Sequence, residues 1–256
     1  MIKLDELTRS FGNTLAVDHA SLEIPSGTVY GLLGPNGAGK TTTIKMLTTL
    51  LVPSAGTASV AGSDVIKAAD DVRRKVGYVP EQIALYQGLT AREYLEFAGH
   101  IRALAEDVIA ARSGRLMEHF GLADDCDRRL TEFSKGMQRK VLMCAALLHD
   151  PEVLILDEPM EGLDVRSQAV LKSALRDFVA GGKTVLYSSH VLEVVEVVCT
   201  HLAIIHHGKI ITQGSVADLL ANNGGDSLSD IFLKLTGGMG HEGRSLRELM
   251  GDNPSQ

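Results

Sequence analysis

Cysteine is scarce in this sequence: Cys126, Cys144 and Cys199 are the only three among 256 residues. Their odd number and wide spacing argue against a disulfide frame or a zinc site and suit free thiols in a reducing compartment. Cys144 falls on the apolar face of a predicted helix and reads as core packing. No apolar run approaches the roughly 20 residues that a helix needs to cross a bilayer. The opening stretch, Met1 to Leu15, is charged and mixed, unlike a secretory signal. A soluble chain is therefore expected. Positive charge is also short: 25 Lys and Arg against 32 Asp and Glu leave a net charge of −7. A protein that grips nucleic acid usually carries the opposite balance. Aromatic residues make up only 4%, so a ring such as Phe11 at a turn stands out as either a core residue or a platform for a flat ligand. What remains, 45% hydrophobic and 22% charged, is enough for one large unit or two tightly joined lobes with a sizeable core.

The chain is organised around Gly34-Pro35-Asn36-Gly37-Ala38-Gly39-Lys40-Thr41. The apolar run Val29 to Leu33 before it reads as a buried strand, and Ile44, Leu47 and Leu51 after it recur at helical spacing. Strand, glycine-rich turn and helix form the context in which GxxxxGK[ST] marks a phosphate-binding loop. The glycines let backbone N–H groups turn inward on an anion, and the helix N-terminus adds unpaired donors. Lys40 is placed to reach the β- and γ-phosphates, and the Thr41 hydroxyl to hold Mg²⁺.

Around this loop the sequence predicts short antiparallel strands between residues 2 and 30, then a strand at Thr57–Val60 and a turn at Ala61 to Asp64. A core strand at Val76–Val79 stops at Pro80, with Glu81 and Gln82 at its carboxyl end, where parallel sheets bind ligands. From Leu89 to His149 only helical spacing appears, with Tyr94, Phe97, Ala98 and Ile101 as one apolar face and Val141, Cys144, Ala145 and Leu148 as another. Ser134 is a candidate helix cap there. Val153–Leu156 reads as a central parallel strand ending in Asp157-Glu158, two carboxylates whose burial is costly unless a cation or a reaction uses them. Thr184–Tyr187 is another core strand, with His190 at its end, and Val216 to Leu220 suggests a late helix. The tail after Asn222 is rich in Gly, Ser and charge, with one short helix around Ile231 to Leu235 and weak order expected from Gly237 onward.

These motifs, in this order, resemble the nucleotide-binding subunit of an ATP-binding cassette (ABC) transporter over about residues 2 to 222. Gly34 to Thr41 resembles the Walker A loop, and Glu81 stands where the family has its Q-loop glutamine. Phe133 to Met137 resembles the LSGGQ signature, Val153 to Glu158 the Walker B strand with its glutamate, Gly162 to Asp164 the D-loop, and His190 the switch histidine. Lys135 and Met137 depart from the signature, and Glu81 from the glutamine. These variants, with the stretch Leu228 to Thr236, are similar to subunits of ABC-2-type exporters.

The resemblance implies an α/β P-loop NTPase (RecA-like) fold with a parallel sheet core, an N-terminal antiparallel β subdomain and an inserted α-helical subdomain. The core would be 2–81 and 150–222, the helical subdomain 82–149 and the tail 223–256. It also implies ATP and Mg²⁺ as ligands. Phe11 would stack on adenine with Val17 beside it. Gly34, Pro35, Asn36, Gly37, Ala38, Gly39, Lys40, Thr41 and Thr42 would cradle the phosphates, and Thr41, Asp157 and Glu81 would serve the metal. Glu158 would be the general base and His190 a contact to the γ-phosphate. Ser134, Gly136 and Asp164 would face nucleotide bound to a second copy in a head-to-tail dimer. An integral membrane permease would dock near Ile83, Leu85, Tyr86 and Leu89, holding the chain at the cytoplasmic face of the membrane. No nucleic acid is expected. A soluble cassette machine acting on nucleic acid or the ribosome is the competing reading, weakened by the acidic balance and the single cassette.

Overall fold

A strand that is apolar on both faces has to be covered on both faces. Three runs here, Val29–Leu33, Val153–Asp157 and Thr184–Ser189, are buried at every position. They form the middle of a layered α/β fold. The computed structural model describes residues 1–222 and 227–237. In chain order come β1 (Ile2–Phe11), β2 (Thr14–Ile24), β3 (Val29–Leu33), α1 (Lys40–Leu47), β4 (Ala55–Val60), β5 (Ser63–Asp64), α2 (Ala69–Lys75) and β6 (Val76–Val79). A helical run comes next, with α3 (Ala91–Ile101), α4 (Glu106–His119) and α5 (Lys135–Leu147). Then come β7 (Val153–Asp157), α6 (Val165–Ala180), β8 (Thr184–Ser189), α7 (Leu192–Val198), β9 (His201–His206), β10 (Lys209–Ser215), α8 (Val216–Asn222) and α9 (Leu228–Thr236).

Among the described residues the larger sheet has the order β10-β9-β3-β8-β7-β6, parallel except at its β10 edge. Its register sets Leu33 opposite Ser189, and Ser188 opposite Asp157. The carboxyl ends of β3, β8 and β7 therefore lie side by side, where open parallel sheets bind their ligands. A smaller antiparallel sheet has the order β2-β1-β4-β5. Its first two strands are longer than the sequence suggested, and Ser63-Asp64, read as turn, pairs with β4.

Two apolar clusters hold these layers. One joins the inner face of the antiparallel sheet to α1 and one face of the parallel sheet. The other joins the opposite face of the parallel sheet, through Val79, Leu156 and Tyr187, to Ala91, Leu95, Phe120 and Leu142 of the helical run. The helical segment thus shares a core with the sheet. Its first helix sits in a different register from the expected one. Ala91, Leu95 and Gly99 face inward, while Phe97 and Ile101 are exposed. The cause is close packing on α4, since a Cβ at Gly99 would come within 2.6 Å of Ile109. Helix α2 carries no sequence signal because only Val72 on it is buried. Helix α9 appears where expected, capped by Ser227 with Asp230 in a reciprocal pair. The weak order expected beyond Gly237 lies outside the described residues.

Candidate nucleotide site

Between β3 and α1 the backbone makes a turn that only glycines tolerate. Gly37 and Gly39 have φ values of 78° and 110°, in the left-handed region. A Cβ at Gly34 would lie 2.3 Å from the Ile205 carbonyl. No side chain caps α1, and its first turn carries no carboxylate. Its leading N–H groups and its positive dipole end are left for an anion. The buried Lys40 ammonium donates to the Gly34 carbonyl at 2.7 Å and the Pro35 carbonyl at 3.3 Å, and lies 4.0 Å from Glu158 Oε1. Burial lowers the Lys40 pKa, and the charges of Glu158, Asp157 and Glu81 pull it back up. Behind the loop, the Gly208 N–H donates to the Ala38 carbonyl at 2.9 Å, and the Gly208 carbonyl accepts from Asp18 N–H at 2.9 Å.

The β7 end supplies the acids. Asp157 is fully buried; the Ser188 hydroxyl donates to its Oδ1, and its Oδ2 has no hydrogen-bond partner among the described residues. Leaving such an oxygen unpaired costs on the order of 1–3 kcal/mol, more when it is charged. A hard divalent cation, which takes oxygen ligands, suits that unpaired oxygen, and the Thr41 hydroxyl lines the same cavity. Glu158 sits at φ 49°, a conformation that costs a non-glycine residue about 1–3 kcal/mol. This bend turns its carboxylate toward β8. Ser189 Oγ donates to Glu158 Oε2 at 3.3 Å, and His190 Nδ1 lies 2.8 Å from Oε1.

Together these groups line a cavity of about 490 Å³: Asn36, Gly37, Ala38, Gly39, Lys40, Thr41, Thr42, Glu81, Asp157, Glu158, Glu161 and His190. A phosphate cradle, two buried acids and a histidine on one cavity form the arrangement that phosphoryl transfer requires. A family profile described as ABC transporter matches residues 17–161, more than half of the chain. This chain belongs to the ABC transporter family. It is 38% identical to the daunorubicin resistance ATP-binding protein DrrA3 of Streptomyces coeruleorubidus, over 93% of this chain and 75% of that one. It is 37% identical to the Nod factor export ATP-binding protein I of Paraburkholderia xenovorans, over 90% of this chain and 76% of that one. A solved ATP-binding subunit of an ABC transporter superposes with a TM-score of 0.86 at 30% identity, covering 92% of this chain and 99% of its own.

Other residues picked out by the ABC motifs lie off this cavity. Gly34 and Pro35 act behind it, through their carbonyls on Lys40. Val17 is fully buried beneath Gly39, so its side chain presents no surface to a base. Phe11 is exposed at the β1–β2 turn, with the Arg9 guanidinium 4.7 Å from its ring centre. Ser134 caps α5, accepting from Met137 N–H at 3.2 Å. Gly136 packs on the Gly162 carbonyl, which brings the signature loop beside the D-loop. Asp164 caps α6 by accepting from Ser167 N–H at 2.7 Å, and that bond holds its carboxyl below the usual range. Glu161 lines the cavity without any sequence signal, because a carboxylate in the loop after Asp157-Glu158-Pro159 reads as a solvated turn residue.

Proposed function

We propose that this chain hydrolyses ATP with Mg²⁺ and so drives export by a separate integral membrane permease, at the cytoplasmic face of the membrane. The carrying observation is the single cavity that unites Lys40, Asp157, Glu158 and His190. In this reading the loop amides and Lys40 hold the β- and γ-phosphates, with Thr42 beside them. Thr41 and Asp157 would hold Mg²⁺, and Glu81 faces the same place. The metal, when bound, supplies charge neutralisation at the phosphate oxygens. Glu158 takes a proton from the attacking water, since its carboxylate is aimed by Ser189 and His190. His190, half exposed at the cavity mouth, is free to turn its other ring nitrogen to the γ-phosphate. Phe11 offers an exposed ring to adenine.

Ser134, Gly136 and Asp164 are absent from the lining of their own chain's cavity, yet Ser134 and Asp164 are exposed and the signature loop packs beside the D-loop. This supports a homodimer closing head-to-tail, in which each chain completes the other's nucleotide site. For the permease, Ile83, Leu85 and Leu89 are partly buried against the core. The open apolar surface is instead Tyr86 and Phe97, packed edge-to-face, together with Ile101 and Leu50. Export is favoured by the resistance and export functions named for the relatives. Glu158→Gln should keep ATP binding, cut turnover about 100-fold or more and accumulate an ATP-dependent dimer on a sizing column. A monomer that holds ATP without dimerising would count against the shared site.

A further inference from the structure

Helix α5 carries a buried cation whose partners are not carboxylates. Arg139 is 3% exposed. Its Nη1 donates to the Pro80 carbonyl at 2.6 Å and its Nη2 to the Glu81 carbonyl at 2.8 Å, while its Nε has no partner among the described residues. These two carbonyls lie just beyond Val79, the last paired residue of β6, in the loop that brings Glu81 to the nucleotide cavity. The N-cap of the same helix is Ser134. Five residue steps along the helix separate the two, about 7.5 Å of rigid rod.

A guanidinium spanning two successive carbonyls is a fork with fixed geometry, which a lysine ammonium cannot reproduce. Burial disfavours its charge, and the nearby charges of Glu161, Glu81, Asp157 and Glu158 support it, in that order. The acids of the cavity and the cation behind the loop therefore stabilise one another. We propose that Arg139 is a positioning residue that ties the Ser134 helix to the Glu81 loop, so that the two shift as one body when the cavity opens or closes. Arg139 touches no phosphate in this scheme; it acts through the placement of Glu81. The inference rests on the ATPase reading above, but the tie itself is a property of the fold.

The test uses the full chain with Arg139→Lys, which keeps the charge and most of the volume. Turnover should fall about tenfold while KM for ATP stays within about twofold, the pattern of lost alignment at an intact binding site. Hydrogen exchange at the amides of residues 81–86 should quicken several-fold with α5 unchanged, a readout independent of activity. In a Glu81→Ala background the same substitution should cost less than about twofold in turnover, because coupled residues do not act additively. Wild-type exchange in the loop of Arg139→Lys overturns the tie. An undiminished loss of turnover in the Glu81→Ala background overturns action through Glu81. If the unsubstituted protein hydrolyses no ATP, the engine reading fails, and the exchange result still decides whether helix and loop are joined.

Discussion

In the nucleotide cavity Lys40, Asp157 and Glu158 are 6%, 0% and 8% exposed, whereas in an apolar groove lined by Leu50, Ile101, Arg102 and His149, Leu50 and Ile101 are 64% and 69% exposed. One region keeps charge inside and the other keeps hydrocarbon outside. The buried charges are nearly self-sufficient: serine hydroxyls, loop carbonyls and a histidine satisfy all but one Asp157 oxygen. Among the described residues, nothing covers the exposed hydrocarbon in the same way. An apolar surface of this kind is what the proposed permease contact would cover.

That contrast breaks most sharply at Lys40. Lys40→Ala should weaken ATP binding about 100-fold or more, because it strips the cation from two buried acids and the phosphates together. Near-normal affinity by calorimetry would contradict the cavity assignment. Next in size is a pair on one helix, α3. Leu95→Ala, in the core, should cost about 2–5 kcal/mol in urea unfolding. Ile101→Asp, on the groove, should stay within about 0.5 kcal/mol in the same assay while abolishing co-purification with the permease from detergent-solubilised membranes. Equal stability losses at both sites would mean the groove is core after all.

His149, under the groove, gives a smaller and pH-dependent effect. Burial lowers its pKa from 6.5 to about 4, with the neighbouring Arg102 charge pushing the same way and the Val76 carbonyl, 3.1 Å from Nε2, opposing. The unfolded chain takes its proton first, near 6.5, and the folded chain resists until about 4. This residue's contribution to stability is therefore constant above that window and lost as pH falls through it. His149→Gln should flatten the stability profile between those pH values; an unchanged slope would show the ring is better solvated than its burial indicates. The smallest effect is at Tyr187, fully buried, with a hydroxyl that has no partner among the described residues. Tyr187→Phe should leave stability unchanged or raise it by about 1 kcal/mol. A clear loss would mean a hidden water satisfies that hydroxyl.

Much of the cavity was legible because its motifs sit at strand ends. Leu33, Asp157 and Ser189 close short runs with apolar centres that are buried at every position. Such runs have one structural solution, so the loops leaving them meet at one edge. Glu161 was not legible, since a loop carboxylate looks the same whether it faces water or a cavity. The inward face of α3 differs from the expected one because Tyr94, Phe97 and Ile101 share helical spacing as good as that of Ala91, Leu95 and Gly99. A helix apolar on two sides does not say which side meets its own chain. Val17 stands beside the ligand by resemblance alone, and the fold puts the loop glycine Gly39 over it.

The hairpin of β9 and β10 has a consequence for how nucleotide arrives. Its Gly208 clamps Ala38 from behind, and Ile205 sets the limit on what residue 34 can be. The family match ends at residue 161, so the glycine loop it contains is held in shape by chain that lies well past it. A fragment stopping at that point would keep every motif residue of the loop and lose the wall that shapes it. Its amides would have to be gathered by the triphosphate itself, and each arrival would spend part of its affinity on ordering the host.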